Sequence, residues 1–141
     1  MSTESARSPT AADYMTSILR TVSPSMSLRE LVSFLLEHKV SSAPVVDEQD
    51  RLLGFISERD CLTAIANESF SDSTVIQDAS HIMRRDPTTI APDTALFRVT
   101  SMFIEHGFRH LPVVRGEKLV GVVSRSDVLR AVNDFWTEPS D

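Results

Sequence analysis

The chain has 141 residues, a length that fits one compact domain or two small half-domains sharing a core, and its composition of 41% hydrophobic and 24% charged residues is typical of a globular protein. Its 20 acidic residues outnumber its 14 lysines and arginines, and the formal net charge of -6 argues against a protein that covers nucleic acid with a broad basic surface. No apolar run approaches the roughly 18 residues that are needed to span a bilayer, so we expect no membrane association.

Several motifs that would indicate catalysis or metal binding do not occur in the sequence. The chain has one cysteine, Cys61, so neither a disulfide nor a cysteine-based zinc site can form within one chain. It has no HExxH metal motif, P-loop, GxGxxG loop or GxSxG elbow. We therefore predict that the protein is not an enzyme and needs no metal or cofactor.

The N-terminal segment is polar and lacks the apolar stretch of a signal peptide. Residues 1–12 are largely polar, and we expect them to form a flexible segment. Because a signal peptide needs a continuous apolar stretch, which this segment lacks, we expect a cytoplasmic protein.

The first half of the chain predicts a strand, a helix, two strands and a second helix. A short extended stretch ends at Pro24, and Ser27-Leu-Arg-Glu30 then has the form of a capping box. Apolar residues at helical spacing predict a helix over residues 28–38, and they are Leu28, Leu31, Val32, Leu35 and Leu36. Residues 44–46 and 52–56 are predicted strands around a polar turn, and residues 58–66 a closing helix.

The second half of the chain repeats the first. At a shift of 68 residues, Pro-Val-Val at 44–46 aligns with Pro-Val-Val at 112–114; after the next turn the shift is 67. The repeat predicts a helix from Leu96 with Gly107 as its left-handed stop, strands at 112–114 and 119–123, and a helix over 125–135. Two copies of so long a unit indicate a duplicated structure with pseudo-twofold symmetry.

Both copies resemble the CBS domain, named for cystathionine beta-synthase. Each has a Pro-Val-Val strand and then the motif Gly-hydrophobic-x-Ser-x-x-Asp, at residues 54–60 and 121–127, and the resemblance covers residues 14–134. It implies an α/β (α+β) fold in which two pseudo-symmetric β-α-β-β-α CBS repeats pack as a Bateman module. We expect repeat 1 at 13–67, a linker at 68–80, repeat 2 at 81–136 and a C-terminal tail at 137–141.

The serine and aspartate of each motif fit two interpretations. A serine followed three residues later by an aspartate, where a strand becomes a helix, is first of all a capping box. In the functional interpretation, helix N–H groups bind an anion while the carboxylate accepts hydrogen bonds from both hydroxyls of a ribose. Because Ser57 and Asp60 recur as Ser124 and Asp127, behind glycines that leave room for a ligand, we favour the functional interpretation.

The resemblance implies two ligand clefts, each joining the Ser/Asp motif of one repeat to the segment before Pro-Val-Val of the other. The first cleft would contain Ser57, Asp60, Phe108, Arg109 and His110. The second would contain Ser124, Asp127, Val40, Ser41 and Ser42.

The two implied clefts differ in their positive charge. Arg59, Arg109 and His110 are candidate cations for a phosphate in the first cleft, whereas Arg125 is the candidate in the second. We therefore expect tighter phosphate binding in the first cleft. In the alternative interpretation, the three arginines are solvated surface charges.

The resemblance implies a stand-alone regulatory module that binds an adenosine-containing ligand, foremost AMP, ADP or ATP. Occupancy would be transmitted to a separate, unidentified effector protein, and the modules would pair through their helices as a homodimer. S-adenosylmethionine and NAD(H) remain open as ligands, because ribose recognition does not specify what lies beyond it. A scaffold for oligomerisation or partner binding, without a nucleotide ligand, also remains open, whereas the charge disfavours nucleic acid.

Overall fold

The computed structural model describes residues 8–70 and 77–137. Residues 1–7, 71–76 and 138–141, which belong to the predicted N-terminal segment, linker and tail, lie outside the described residues. The chain divides into two compact units. The Asp60 unit comprises Arg20–Pro87, and the Asp127 unit comprises Met1–Leu19 together with Thr88–Asp141.

The order of the elements confirms the predicted fold class and its duplication. A helix, two strands and a helix occur twice in the described part of the chain. No helix there is long and apolar enough to cross a bilayer. The elements are α1 (Ala11–Tyr14), α2 (Leu28–His38), β1 (Ser42–Val46), β2 (Leu52–Ser57), α3 (Glu58–Phe70), α4 (Ala79–Ile82), β3 (Arg84–Arg85), α5 (Leu96–His106), β4 (His110–Arg115), β5 (Lys118–Ser124) and α6 (Arg125–Thr137).

Helix α2 begins and ends where the sequence predicts. The N–H of Glu30 donates to Ser27 Oγ at 3.1 Å, and the N–H of Ser27 donates to Glu30 Oε1 at 2.9 Å, so the capping box is confirmed. Leu31 and Leu35 are buried, but Leu36, predicted on the same apolar face, is 73% exposed. Leu36 therefore lies at the surface and not on the buried face of α2.

Both predicted strand pairs are confirmed and extend by one or two residues beyond the predicted ends. Strand β1 is antiparallel to β2, with Val45 opposite Gly54. Strand β4 is antiparallel to β5, with Val113 opposite Gly121. The predicted extended stretch before α2 is also present, because Val22 forms a parallel bridge with Val45.

Each unit has its own apolar core on the covered face of its strands. In the Asp60 unit, Leu31, Val45 and Ile56 are at most 1% exposed. The corresponding positions of the Asp127 unit are occupied by Val99, Val113 and Val123, all fully buried. The apolar positions that recur in both repeats are therefore the ones whose side chains are buried between the helices and the strands of each unit.

The segments that precede the two repeats each pack in the unit of the other repeat. Helix α1 lies in the Asp127 unit, where Thr16 and Val122 exchange two backbone hydrogen bonds of 2.9 and 3.0 Å. Helix α4 and strand β3 lie in the Asp60 unit, where β3 pairs antiparallel with β2. Neither short helix could be predicted from the sequence, because four residues do not establish a periodicity.

Gly54 and Gly121 make room for methionines rather than for a ligand, which corrects the expectation from the sequence. A Cβ at Gly54 would lie 2.6 Å from Met83 Sδ and 2.6 Å from the carbonyl oxygen of Arg84. A Cβ at Gly121 would collide with Met15 Sδ and lie 2.8 Å from Met15 Cγ. We call the segments that precede the two repeats, with α1 and Met15 or with α4 and Met83, the lead-in segments. Each glycine therefore allows the methionine of one lead-in segment to pack directly onto the strand.

The two glycines differ in whether their neighbours can yield. We expect Gly54→Ala to destabilise the protein by about 1–3 kcal/mol, as overpacking does, because the Arg84 carbonyl belongs to a paired strand. Gly121→Ala should cost less, since the Met15 side chain can move. Adding Met15→Ala should suppress much of the Gly121→Ala effect in a double-mutant cycle measured by urea unfolding. Equal losses for the two glycine variants would contradict this account.

Lys39 and Gly107 occupy equivalent helix-ending positions with left-handed backbones, at φ 54° and φ 66°. A side chain costs energy in this conformation, so Lys39→Gly should stabilise the protein by about 1 kcal/mol. Gly107→Ala should lose a similar amount, because an added Cβ there meets no heavy atom within 4 Å and only the backbone is strained. Thermal unfolding should show Tm changes of opposite sign; a lower Tm for Lys39→Gly would refute the prediction.

Candidate functional site

The first Ser/Asp motif lies where β2 passes into α3, and it forms a capping box. Asp60 Oδ2 accepts hydrogen bonds from the N–H and the hydroxyl of Ser57, both at 2.9 Å. Ser57 Oγ in turn accepts from the N–H of Asp60 at 3.2 Å. One carboxylate oxygen thus holds the junction, and Asp60 Oδ1 points away from it toward other partners.

The second motif has the same geometry where β5 passes into α6. Asp127 Oδ2 accepts from the N–H of Ser124 at 2.8 Å, and Ser124 Oγ accepts from the N–H of Asp127 at 3.2 Å. The structural half of the sequence interpretation is therefore confirmed in both copies. The second carboxylate oxygen of each aspartate takes no part in the capping box.

The two second oxygens have different arginine partners. Arg84 Nε lies 3.4 Å from Asp60 Oδ1, and this pair joins β3 to α3. Arg130, one helical turn after Asp127, donates to Asp127 Oδ1. The Asp60 side chain is 14% exposed and the Asp127 side chain 8% exposed.

Sequence reasoning gave neither of these arginines a role. Arg130 could have been found from its i,i+3 spacing to Asp127, a spacing at which helical side chains meet. Arg84 is 24 residues from Asp60, and no local pattern in the sequence links the two.

The predicted phosphate cations differ in their availability. Arg59 and Arg109 are exposed, which fits both the phosphate-binding interpretation and the interpretation as solvated surface charges. Arg125 instead donates to the carbonyl oxygens of Phe108 at 2.8 Å and Gly107 at 3.1 Å. It therefore satisfies carbonyl groups just beyond the end of α5, a role that the sequence analysis did not consider.

Burial of His110 disfavours the charged imidazolium that its predicted contribution to phosphate binding would use. Burial lowers the pKa of its imidazole, and Arg109 and Arg125 lower it further, against the opposing effect of Asp127. A neutral imidazole still offers one donor and one acceptor. His110 pairs with Ser124 across β4 and β5, so it lies beside the second motif within the Asp127 unit.

The segment before Pro-Val-Val in the first repeat lies beside the first motif within the Asp60 unit. The N–H of Glu58 donates to the carbonyl oxygen of Ser41 at 2.9 Å, and Ser42 pairs with Ser57. Val40 is half-buried, and in the Asp127 unit the Phe108 ring stacks on His106 with centroids 5.1 Å apart. The pairing of these segments with the motif of the other repeat stays a prediction.

Tyr14 is a further polar residue near the second motif. Its hydroxyl is buried and has no hydrogen-bond partner among the described residues. Burial, and then the charges of Asp127 and Asp13, raise the pKa of Tyr14 to about 12. Tyr14 therefore remains a neutral phenol.

The described residues contain no cluster of three or more metal-ligating side chains.

Comparisons with known proteins agree on one family. The model of the CBS domain matches residues 11–67 and 79–134. An uncharacterized 17.7 kDa protein in the bps2 3' region of Acidianus ambivalens is 34% identical over 117 residues, which are 82% of this chain and 68% of that protein. The CBS domain-containing protein YhcV of Bacillus subtilis is 31% identical over 126 residues, which are 89% of this chain and 86% of YhcV.

A solved structure extends this similarity to three dimensions. The crystal structure of CBSX2, a CBS-pair protein of Arabidopsis thaliana, in complex with AMP superposes with a TM-score of 0.82 at 32% identity. The match covers 91% of this chain and 98% of that one. With two matched segments, duplicated strand–helix motifs and this shared fold, the chain belongs to the CBS-domain family and carries two CBS domains in tandem.

Proposed function

We propose that this CBS pair is a regulatory module that binds an adenosine nucleotide at its Ser/Asp motifs and transmits occupancy to a separate effector protein. The observation that carries the proposal is the duplicated junction, in which one oxygen of each aspartate accepts the capping hydrogen bonds and the other accepts from an arginine side chain. The AMP complex of CBSX2, at 32% identity, supports an adenosine ligand.

The second carboxylate oxygen can serve a ribose. The two hydroxyls of a ribose are adjacent donors, and a carboxylate accepts several hydrogen bonds. Asp60 is the better candidate, because Arg84 contacts it at 3.4 Å and is 70% exposed, so the pair is long and solvated. Exposed ion pairs of this kind contribute about 0–1 kcal/mol, which a ligand can readily replace. The segments 40–42 and 108–110 complete the two clefts in this proposal.

Occupancy can act on an effector only through differential affinity. A ligand shifts an equilibrium between two arrangements by as much as it prefers one of them. At a concentration 100 times its Kd, a ligand that binds only the native state stabilises it by about 2.7 kcal/mol. Nucleotide binding should therefore be visible as a rise in Tm.

Replacing Asp60 tests the site. We expect Asp60→Ala to weaken AMP binding by about tenfold or more and Asp60→Ala with Asp127→Ala to abolish the AMP-induced rise in Tm, because the ribose acceptors are lost. Calorimetric titration and thermal unfolding would measure both effects.

The chain supplies a matched control for the loss of a cap. Glu30 accepts from the N–H of Ser27 at 2.9 Å in the capping box of α2, so Glu30→Ala removes the same kind of helix cap away from both motifs. Its nucleotide affinity should equal that of the unmodified protein. Unchanged AMP affinity in the double aspartate variant would rule out the assigned site. Binding of S-adenosylmethionine or NAD(H) in place of AMP would keep the site and change the ligand.

A scaffold function is the second candidate, and the helix surfaces favour it. Five large apolar side chains on the helices are 65–79% exposed: Leu36, Leu62, Ile104, Leu129 and Trp136. Leu36 is equivalent to Ile104, and Leu62 to Leu129, so both repeats keep an apolar residue at the same exposed places. Such residues on every long helix fit a self-complementary contact between two copies of the chain.

Charge placed at one of these exposed apolar positions should break a homodimer that forms through them. We expect Ile104→Glu to shift the protein toward monomer in sedimentation equilibrium, because a buried carboxylate would lack a partner. Gln49→Glu adds the same charge in the exposed turn between β1 and β2 and should leave the dimer intact. A dimer that survives Ile104→Glu would exclude this surface. A stable dimer without any thermal shift from adenine nucleotides would favour the scaffold over the regulatory module.

A further inference from the structure

Arg84 lies against the candidate site although nothing in its local sequence indicates a role there. It belongs to β3, and pairing with β2 puts it opposite Phe55, two residues before Ser57 of the motif. Its Nε lies 3.4 Å from Asp60 Oδ1. We propose that Arg84 is a specificity-determining residue, which makes the Asp60 site prefer phosphorylated adenosine ligands to uncharged adenosine and to cationic S-adenosylmethionine. The proposal rests on the proposed function and deepens it.

The geometry of the pair allows Arg84 to change partner. The distance of 3.4 Å exceeds the usual range for an N–H···O bond, and the Arg84 side chain is 70% exposed. Exposed and loosely aligned ion pairs contribute little stability. A guanidinium has five N–H donors in a planar fork, and the contact with Asp60 involves only Nε. Arg84 can therefore leave Asp60 Oδ1 when hydroxyl donors replace it.

A nucleotide would supply both new partners. Ribose hydroxyls would take the place of Nε at Asp60 Oδ1, and the phosphate of the same ligand, a few bonds away, would accept from the displaced guanidinium. Arginine suits this exchange because its fork matches phosphate oxygens in a two-point contact. An uncharged nucleoside would displace Arg84 without offering it an anion. A sulfonium ligand would place a positive charge beside Arg84. The exposed Arg59 of α3 would add a second positive charge to the same unit.

The second repeat has no arginine at the position that corresponds to Arg84. The position equivalent to Arg84 at the shift of 68 is Thr16, which bonds to Val122 through its backbone and carries no charge. Asp127 is paired instead with Arg130 of its own helix, and the equivalent of Arg130 at the shift of 67 is Thr63. The two copies thus obtain their arginine from different elements. In the Asp60 unit the arginine comes from β3, whereas in the Asp127 unit it comes from α6, the helix that also carries the aspartate.

The experiment compares three ligands on the full chain by calorimetric titration: AMP, adenosine and S-adenosylmethionine. Arg84→Thr introduces the residue of the other copy, and we expect AMP affinity to fall about tenfold while adenosine affinity stays the same or rises. Arg84→Lys should restore part of the preference, because it keeps the charge but loses the fork. Arg85→Thr is the matched control, since the Arg85 guanidinium donates to the Ser80 carbonyl at 3.1 Å.

The ratio of AMP to adenosine affinity decides the outcome. A ratio that falls in Arg84→Thr, recovers in part in Arg84→Lys and stays unchanged in Arg85→Thr supports the proposal. Equal losses for AMP and adenosine would show a merely structural role and overturn it, as would equal effects of Arg84→Thr and Arg85→Thr. If the unmodified protein binds AMP and Arg84→Thr keeps the ratio, this proposal alone falls. If the unmodified protein binds no adenosine compound, both proposals fall.

Discussion

A methionine packed onto a glycine holds each lead-in segment to its unit, and the candidate site depends on this contact. At Gly54 the space of a Cβ is filled by Met83 Sδ and by the carbonyl oxygen of Arg84. Because this space is available, β3 can lie beside β2, and their pairing brings Arg84 to Asp60. The glycine of the motif thus acts through packing, by leaving space for the methionine and for the backbone of β3.

The Ser/Asp junction combines a structural and a chemical role by dividing them between two oxygens. Oδ2 of each aspartate accepts from the preceding serine and fixes the start of a helix. Oδ1 takes no part in the cap and contacts Arg84 in the case of Asp60 and Arg130 in the case of Asp127. A capping box and a ribose-binding carboxylate are therefore compatible interpretations of one motif, because a carboxylate has more acceptor positions than a cap requires.

The two copies keep the apolar character of the positions that build the units, although the side chains differ in size, as for Leu31 and Val99. The strand pairs and the buried helix faces match between the copies because both must exclude water from a core. Two differences in charge lie at exposed positions. Lys39 corresponds to Gly107 at the helix ends, and Arg84 corresponds to Thr16 beside the motifs. Such exposed differences are where two similar sites can acquire different ligand preferences.

The sequence by itself determined the local elements and their duplication. Apolar spacing, the capping box at Ser27 and Glu30, and the short apolar runs of the strands on either side of polar turns depend on residues a few positions apart, so α2 and both strand pairs could be predicted. The capping half of both Ser/Asp motifs could be predicted for the same reason.

Only the tertiary structure decided the features that depend on distant residues. It placed α1 and α4 each in the unit of the other repeat, filled the space over the glycines with methionines, and partly buried His110, which lowers the pKa of its imidazole. It also joined Arg84 to Asp60 across 24 residues. Contacts between segments far apart in the chain follow from how surfaces fit together, and no periodicity within one segment records that fit.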